Sequence, residues 1–205
     1  MITLYGYPKS RSIRAAWALE EAGETYEFVK VDLLKGEGRS PSFLSINPGG
    51  KVPAIVEDGF VLTESAAIVT YVGDRRPASQ LTPPAGTPAR AHYGQWCFFC
   101  IGELEQPLWT IAKHQSVLPQ DWRVPAIIET AHKEFDAALN VLETGLADRP
   151  FILGETFTGA DILIAHTLQW AQKVERLPAD SPLLAYLKRC IARPALAQAR
   201  AREDV

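Results

Sequence analysis

Apolar and polar positions alternate over Ile2-Thr3-Leu4-Tyr5, the two-residue period of a short strand. Ser10 to Ala22 carries Ile13, Ala16, Trp17 and Leu19 on or near one face, which predicts a helix. Gly23 then ends it as a C′ glycine does. Tyr26 to Val31 alternates again and predicts a second strand. Ser40 to Ile46 predicts a short helix. Ala54-Ile55-Val56 and Phe60-Val61-Leu62 flank Glu57-Asp58-Gly59, and Asp-Gly between apolar runs marks a hairpin. A further helix is expected from Thr63 or nearby, with Glu64 in its first turn, ending near Arg75-Arg76. The order is β-α-β-α-β-β-α, and this spacing alone supports an α/β domain.

The pattern changes between Arg76 and Pro88. Four prolines and a glycine punctuate these thirteen residues, where neither helix nor strand propagates well. Beyond Pro88 no strand signal remains. Helical periodicity covers roughly 88–117, 123–146, 159–173 and 181–192, with a short final turn near 194–201. Pro107 should bend the first of these helices. The expected organisation is an α/β unit over 1–77, a linker over 78–88 and an all-helical unit over 89–205.

Thr158-Gly159-Ala160-Asp161 reads as a capping box with Asp in place of Glu or Gln, and Phe157 and Ile162 occupy the staple positions. The nearly all-apolar run that follows implies a buried helix. Thr158 and Asp161 are therefore expected to form a structural N-cap. His166 falls in that helix and reads as a hydrogen-bonded core residue. His92, His114 and His132 have no acidic or Cys partners at metal-ligand spacing, so no metal is expected.

Composition narrows the class. With 205 residues, 47% hydrophobic and 22% charged, the chain is that of a globular protein. A net charge of −3 argues against a nucleic-acid binder held by phosphate contacts. The chain opens without a basic-then-apolar signal pattern and has no run of 18 apolar residues, so no membrane span is expected. Cys97 and Cys100 form C-x-x-C inside an apolar helical run and read as core thiols, not as a metal or redox pair. Three cysteines make no disulfide framework, and a reducing cytoplasm is the natural compartment.

The segment from Asn47 to Val72 concentrates the candidate chemistry. Pro53 suits the first position of a strand because it has no N–H to donate. Only about 5–6% of X-Pro bonds are cis, so the Val52-Pro53 dipeptide alone reads as an ordinary loop proline. A cis bond would turn the N–H and C=O of Val52 outward, where an extended peptide could pair with them. The helix start near Thr63-Glu64-Ser65 presents unpaired N–H groups that favour a carboxylate. Taken singly, Thr63 and Ser65 would serve only as caps.

In combination, Val52-Pro53 and Glu64-Ser65 resemble the glutathione-binding segment of the cytosolic glutathione transferases. The resemblance covers the whole chain, with the thioredoxin-like α+β order first and the all-α helical bundle after it. It implies a cis-proline, backbone pairing of Val52 with the cysteinyl part of glutathione, and a γ-glutamyl end held by Glu64 and Ser65. Lys51 would pair with the glycyl carboxylate, with Arg39 or Lys35 assisting. It also implies a homodimer.

A thiol acts as its thiolate, so such a site must stabilise the anion with a hydroxyl and a helix N-terminus. The loop Tyr5-Gly6-Tyr7-Pro8-Lys9-Ser10-Arg11-Ser12 supplies both, and Lys9, Arg11 and Arg14 add positive potential. Aligning Arg14 with the arginine of bacterial, serine-type members puts Ser10 on the catalytic position; Tyr7, Ser12 and Tyr5 are the alternatives. Ser10 can also cap the helix. No Cys occupies the loop, which disfavours the cysteine-type subfamilies and their disulfide chemistry. Family analogy puts the electrophile pocket between the domains, and Tyr7, Phe99 and Glu103 are its candidates. The implied activity is transfer of glutathione to a small hydrophobic electrophile. Glutathione-dependent isomerisation or peroxide reduction, and a non-catalytic binding or scaffold role, are the alternatives.

Overall fold

The computed structural model describes residues 1–203. Its sheet contains β1 (Ile2–Gly6), β2 (Tyr26–Lys30), β3 (Ala54–Glu57) and β4 (Phe60–Thr63). The spatial order is β2-β1-β3-β4. β1 runs parallel to β2 and antiparallel to β3, and β3 pairs antiparallel with β4. The β3–β4 turn has positive φ at both Asp58 (49°) and Gly59 (83°). That is the type I′ geometry that the twist of a two-residue hairpin favours.

Helix α1 (Ser12–Glu21) is buried from Ser12 to Leu19. It packs on β1, on α3 (Ser65–Arg75) and on α9 (Pro194–Glu203). Small residues at Ala15, Ala16 and Ala18, all at 0% exposure, let three elements approach it. The expected helix over 40–46 is the single turn α2 (Pro41–Leu44), capped by Ser40, whose hydroxyl accepts the Phe43 N–H.

The chain divides into two compact units, residues 1–87 with 190 onward, and residues 88–189. The second expected unit, 89–205, thus differs from the observed one at its end. The final helix is a full ten residues, not a short turn, and it joins the first unit. Charged pairs hold this C-terminal segment there. Arg193 makes two bonds to the Glu21 carboxylate, at 2.6 and 2.7 Å, and Arg202 pairs with Glu20 at 3.4 Å. In the expected linker, Leu81 and Thr82 are buried, and the Thr82 hydroxyl donates to Asp74.

The second unit contains α4 (Pro88–Phe99), α5 (Glu105–Ala112), α6 (Ile127–Leu146), α7 (Gly159–Lys173) and most of α8 (Leu183–Ile191). The helical run 88–117 is continuous but not uniform. Two π-helical turns, Cys100–Leu104 and Lys113–Val117, interrupt it. Pro107 lies just after the first. A proline removes one i→i−4 bond and crowds the carbonyl four residues back, here Glu103, and widening the turn relieves that clash. Helix α6 begins at Ile127, later than 123, because a 3₁₀ turn (Gln120–Trp122) and Pro125 precede it.

Asp161 anchors the start of α7. Asp161, at 0% exposure, accepts the Thr158 N–H (2.8 Å), the Thr158 hydroxyl (2.9 Å), the Ile152 N–H (2.8 Å) and the Tyr186 hydroxyl (2.8 Å). The Asp161 N–H itself goes to the Thr158 carbonyl at 3.0 Å. Burial pushes the Asp161 carboxyl above its usual range, and the four donors oppose that shift. Cys97, Cys100 and Cys190 are buried.

Candidate active site

Strand register assembles the site. Tyr5 of β1 pairs with Ala54 of β3, and Ala54 pairs with Thr63 of β4. These three residues form one row across the end of the sheet. Just beyond it lie the Tyr5–Ser12 loop, the Val52-Pro53 bond and the Glu64-Ser65 pair. The Val52-Pro53 bond is cis. Because β3 starts at Ala54, Val52 lies outside the ladder.

The start of α3 differs from the expected one. Thr63 belongs to β4 and cannot cap the helix, because its backbone pairs with Ala54. Glu64 occupies the N-cap position rather than the first turn, with φ 66° and no side-chain cap. A non-glycine residue at positive φ costs about 1–2 kcal/mol. Ser65 is the first helical residue and is buried. Its Oγ accepts from Arg14 at 3.2 Å, and Arg14 is itself 0% exposed. A hydroxyl that accepts from a guanidinium keeps its own proton for another acceptor. In the sequence Arg14 is a source of positive potential and the residue whose alignment points to Ser10, and neither reading shows its contact with Ser65. Its burial follows from its place on α1, which is covered on several sides.

The loop into α1 is a hydroxyl relay. Ser10 Oγ donates to the Tyr7 carbonyl at 2.6 Å and lies 2.8 Å from Ser12 Oγ. It also accepts the Ser12 N–H, the first of the helix, at 3.1 Å, while Arg11 at the N-cap position has no side-chain cap. Ser12 Oγ accepts the Tyr7 N–H at 3.1 Å. Ser12 is fully buried, whereas Ser10 is half-buried. A Cβ on Gly6 would meet the Phe28 ring at 2.6 Å and Ser12 Cβ at 2.9 Å, so only glycine allows Ser12 to sit against the end of β1. The first turn of α1 contains no acidic residue. Tyr5 and Tyr7 are half-buried, and the Tyr5 ring lies 6.1 Å from that of Phe43.

Asn47 shapes the approach to Val52. Its side chain donates to the Lys51 carbonyl at 2.6 Å and accepts the Gly49 N–H at 3.0 Å. Gly50 has φ 62°, and a Cβ there would meet the Gly38 carbonyl at 2.5 Å and Arg39 Nη1 at 3.1 Å. Lys51 and Arg39 are exposed and flank Gly50. Lys35 instead pairs with Asp32 at 3.5 Å. Asn47 was not singled out in the sequence, although Asn before Pro-Gly-Gly is a turn signal.

The three expected pocket residues divide between the units. Tyr7 is in the first. Phe99 and Glu103 are in the second, Phe99 half-buried with its ring edge-on to Trp96 at 5.3 Å, and Glu103 exposed within the π-helical turn. Among the described residues no group of three His, Cys, Asp or Glu side chains could hold a metal ion, and no helix is long and apolar enough to cross a membrane.

The first unit is thus a thioredoxin-like domain with an anion-receptive rim, followed by a helical unit. Residues 1–74 match the family model of the glutathione S-transferase N-terminal domain, and residues 125–189 match that of its C-terminal domain. The chain is 30% identical over 194 residues to glutathione S-transferase GST-4.5 of Xanthomonas campestris, covering 92% of each. It is 35% identical over 169 residues to the disulfide-bond oxidoreductase YfcG of Escherichia coli, covering 79% of this chain and 76% of that one. Among solved structures, a sphingomonad glutathione S-transferase complexed with glutathione superposes with a TM-score of 0.85 at 31% identity, covering 99% of each chain. The chain belongs to the glutathione S-transferase family.

Proposed function

We propose that this protein binds glutathione at the rim of its sheet, converts the thiol to thiolate and transfers it to a small hydrophobic electrophile. The observation that carries this reading is the row Tyr5–Ala54–Thr63, which brings Ser10, Val52 and Ser65 to one end of the sheet. Glutathione is the co-substrate. Val52 pairs with its cysteinyl backbone as an added strand would. The γ-glutamyl carboxylate sits at the start of α3, where the helix-end N–H groups receive it and the Ser65 hydroxyl, held by the buried Arg14, donates its proton to it. Lys51 faces the glycyl carboxylate, with Arg39 beside it.

The sulfur then falls at the start of α1. Ser10 is the thiolate donor. Its hydroxyl exchanges the Tyr7 carbonyl for the sulfur, while Ser12 and the Ser12 N–H hold its oxygen in place. The buried Ser12 supports Ser10, and Tyr7 and Tyr5 are the remaining alternatives. The thiolate attacks the electrophilic carbon, an S–C bond forms, and the leaving group departs or a strained ring opens. Orientation and electrostatic stabilisation are the protein's contribution. Tyr7, Phe99 and Glu103 are the candidate electrophile contacts. The protein is assigned to the cytoplasm, where thiols stay reduced, and to a homodimer, which light scattering after size exclusion checks.

Retention on immobilised glutathione, a thermal shift with glutathione and an ultraviolet thiolate band test the reading. Failure of all three would leave a scaffold role. A screen of halogenated aromatics, epoxides, isothiocyanates and hydroperoxides assigns the reaction. The relative YfcG favours one second reading, glutathione-dependent disulfide reduction. There the bound thiolate would attack a disulfide, forming a mixed disulfide that a second glutathione resolves. The chain's own cysteines are buried, so both sulfurs would come from glutathione. Turnover of a small disulfide faster than of every electrophile would establish it.

A further inference from the structure

We propose that Glu203, the last residue of α9, is a positioning residue that holds the turn carrying Ser10. This inference rests on the reading of Ser10 as the thiolate donor. Residues Tyr7-Pro8-Lys9-Ser10 form a turn closed by the Ser10 N–H on the Tyr7 carbonyl at 3.3 Å. Pro8 occupies its second position. Lys9 occupies the third with φ 60°. Positive φ at that position is the mark of a type II turn, which favours glycine or asparagine there. Lysine has no such preference, so the flipped Pro8–Lys9 peptide needs an outside partner. The structure supplies one 194 positions away, as the Lys9 N–H donates to Glu203 Oε2 at 3.3 Å.

Two further observations point the same way. Glu203 is only 7% exposed. It is also an acid at a helix C-terminus, where the macrodipole opposes negative charge. There its Oε2 accepts the Lys9 N–H. The helix that carries it is fixed to α1 by Arg193 on Glu21 and Arg202 on Glu20. A type I turn would reverse the Lys9 N–H and move the Tyr7 carbonyl, the acceptor of the Ser10 hydroxyl. Glu203 thus sets where Ser10 points without touching the reacting atoms.

The test compares the full chain with Glu203→Ala, Glu203→Gln and Glu203→Ala combined with Lys9→Gly. Hydrogen exchange over residues 7–12 without glutathione reads the turn itself. The titration of the bound thiol and the split between kcat and KM read its effect on chemistry. Glu203→Ala should speed exchange over 7–12 by roughly tenfold. It should raise the apparent thiol pKa and lower kcat about tenfold, with the glutathione KM within about twofold. Glu203→Gln keeps an acceptor oxygen and should stay near wild type. Lys9→Gly should restore the alanine variant, because glycine adopts φ 60° at no steric cost. Unchanged exchange over 7–12 in Glu203→Ala overturns the proposal. So does faster exchange with an unmoved thiol pKa and kcat, which would make Glu203 a stabilising contact only. If the wild type itself shows no thiolate band, the glutathione reading fails, and the exchange comparison alone decides whether Glu203 holds the turn.

Discussion

Helices α1 and α7 both begin among hydroxyl-bearing residues, and of the two only α7 has a carboxylate within its own first turn. At the start of α7 the buried Asp161 accepts two backbone N–H groups and two hydroxyls. At the start of α1 the same work is done by the neutral Ser10 and Ser12, and the first turn has no acid. A helix N-terminus already filled by a carboxylate has no further use for an anion. One capped by hydroxyls keeps its partial positive charge available. The difference separates a structural cap from the helix start that we propose stabilises a thiolate.

Removing the acid should break the first half of this contrast. Asp161→Ala leaves the Ile152 and Thr158 N–H groups buried without their acceptor, at roughly 1–3 kcal/mol each. A loss of roughly 3 kcal/mol or more is expected. At about 2–4 °C per kcal/mol for a chain of this size, the melting temperature should fall by roughly 6–12 °C. An unchanged melting temperature would mean that the cap is not structural.

Adding an acid should break the second half. Ser10→Asp makes the start of α1 resemble that of α7. It should cost roughly 100-fold in kcat/KM, on the scale of a lost oxyanion donor, while thermal stability is kept or raised. Retained activity in kinetic assays would argue that the sulfur does not sit at this helix end. Gly6→Ala probes the same place more gently by pushing Ser12 away from β1. Overpacking there should cost about 1–3 kcal/mol. Steady-state assays should also show about a tenfold fall in kcat.

The effect that vanishes at neutral pH concerns the second unit's thiols. Burial pushes the Cys97 thiol from 9.0 up to about 12. The folded state then keeps a proton that the unfolded chain loses above pH 9. Stability is unaffected below that pH and falls between pH 9 and about 12, by at most about 1.4 kcal/mol per pH unit. Cys97→Ala should flatten the decline relative to wild type in denaturant titrations. Cys97 should also resist alkylation in the folded protein at pH 8.

Local chemistry was legible in the sequence where one short segment carries the whole device. Asp58-Gly59 announces the type I′ hairpin, and Thr158 with Asp161 announces the α7 cap. What was hidden depended on distant residues. Thr63 reads as a helix cap, yet its backbone belongs to the ladder with Ala54. Helix α9 is weakly apolar, so nothing in its periodicity shows that Ala195, Leu196 and Ala199 are buried, or that its end reaches the Tyr7–Ser10 turn. Arg14 reads as a source of positive potential beside the loop, and its complete burial shows only once α1 is covered on several sides. The π-helical turn Cys100–Leu104 fits the proline that follows it, Pro107, which the sequence reads only as a bend.

The most direct measurement is the ultraviolet titration of glutathione bound to wild type and to Ser10→Ala. The wild type should hold the thiol well below its ordinary value near 8.5. Ser10→Ala should raise the apparent value by about one unit or more, the scale of one lost hydrogen bond to an anion. An apparent pKa unmoved by Ser10→Ala would contradict the assignment of the thiolate to this hydroxyl.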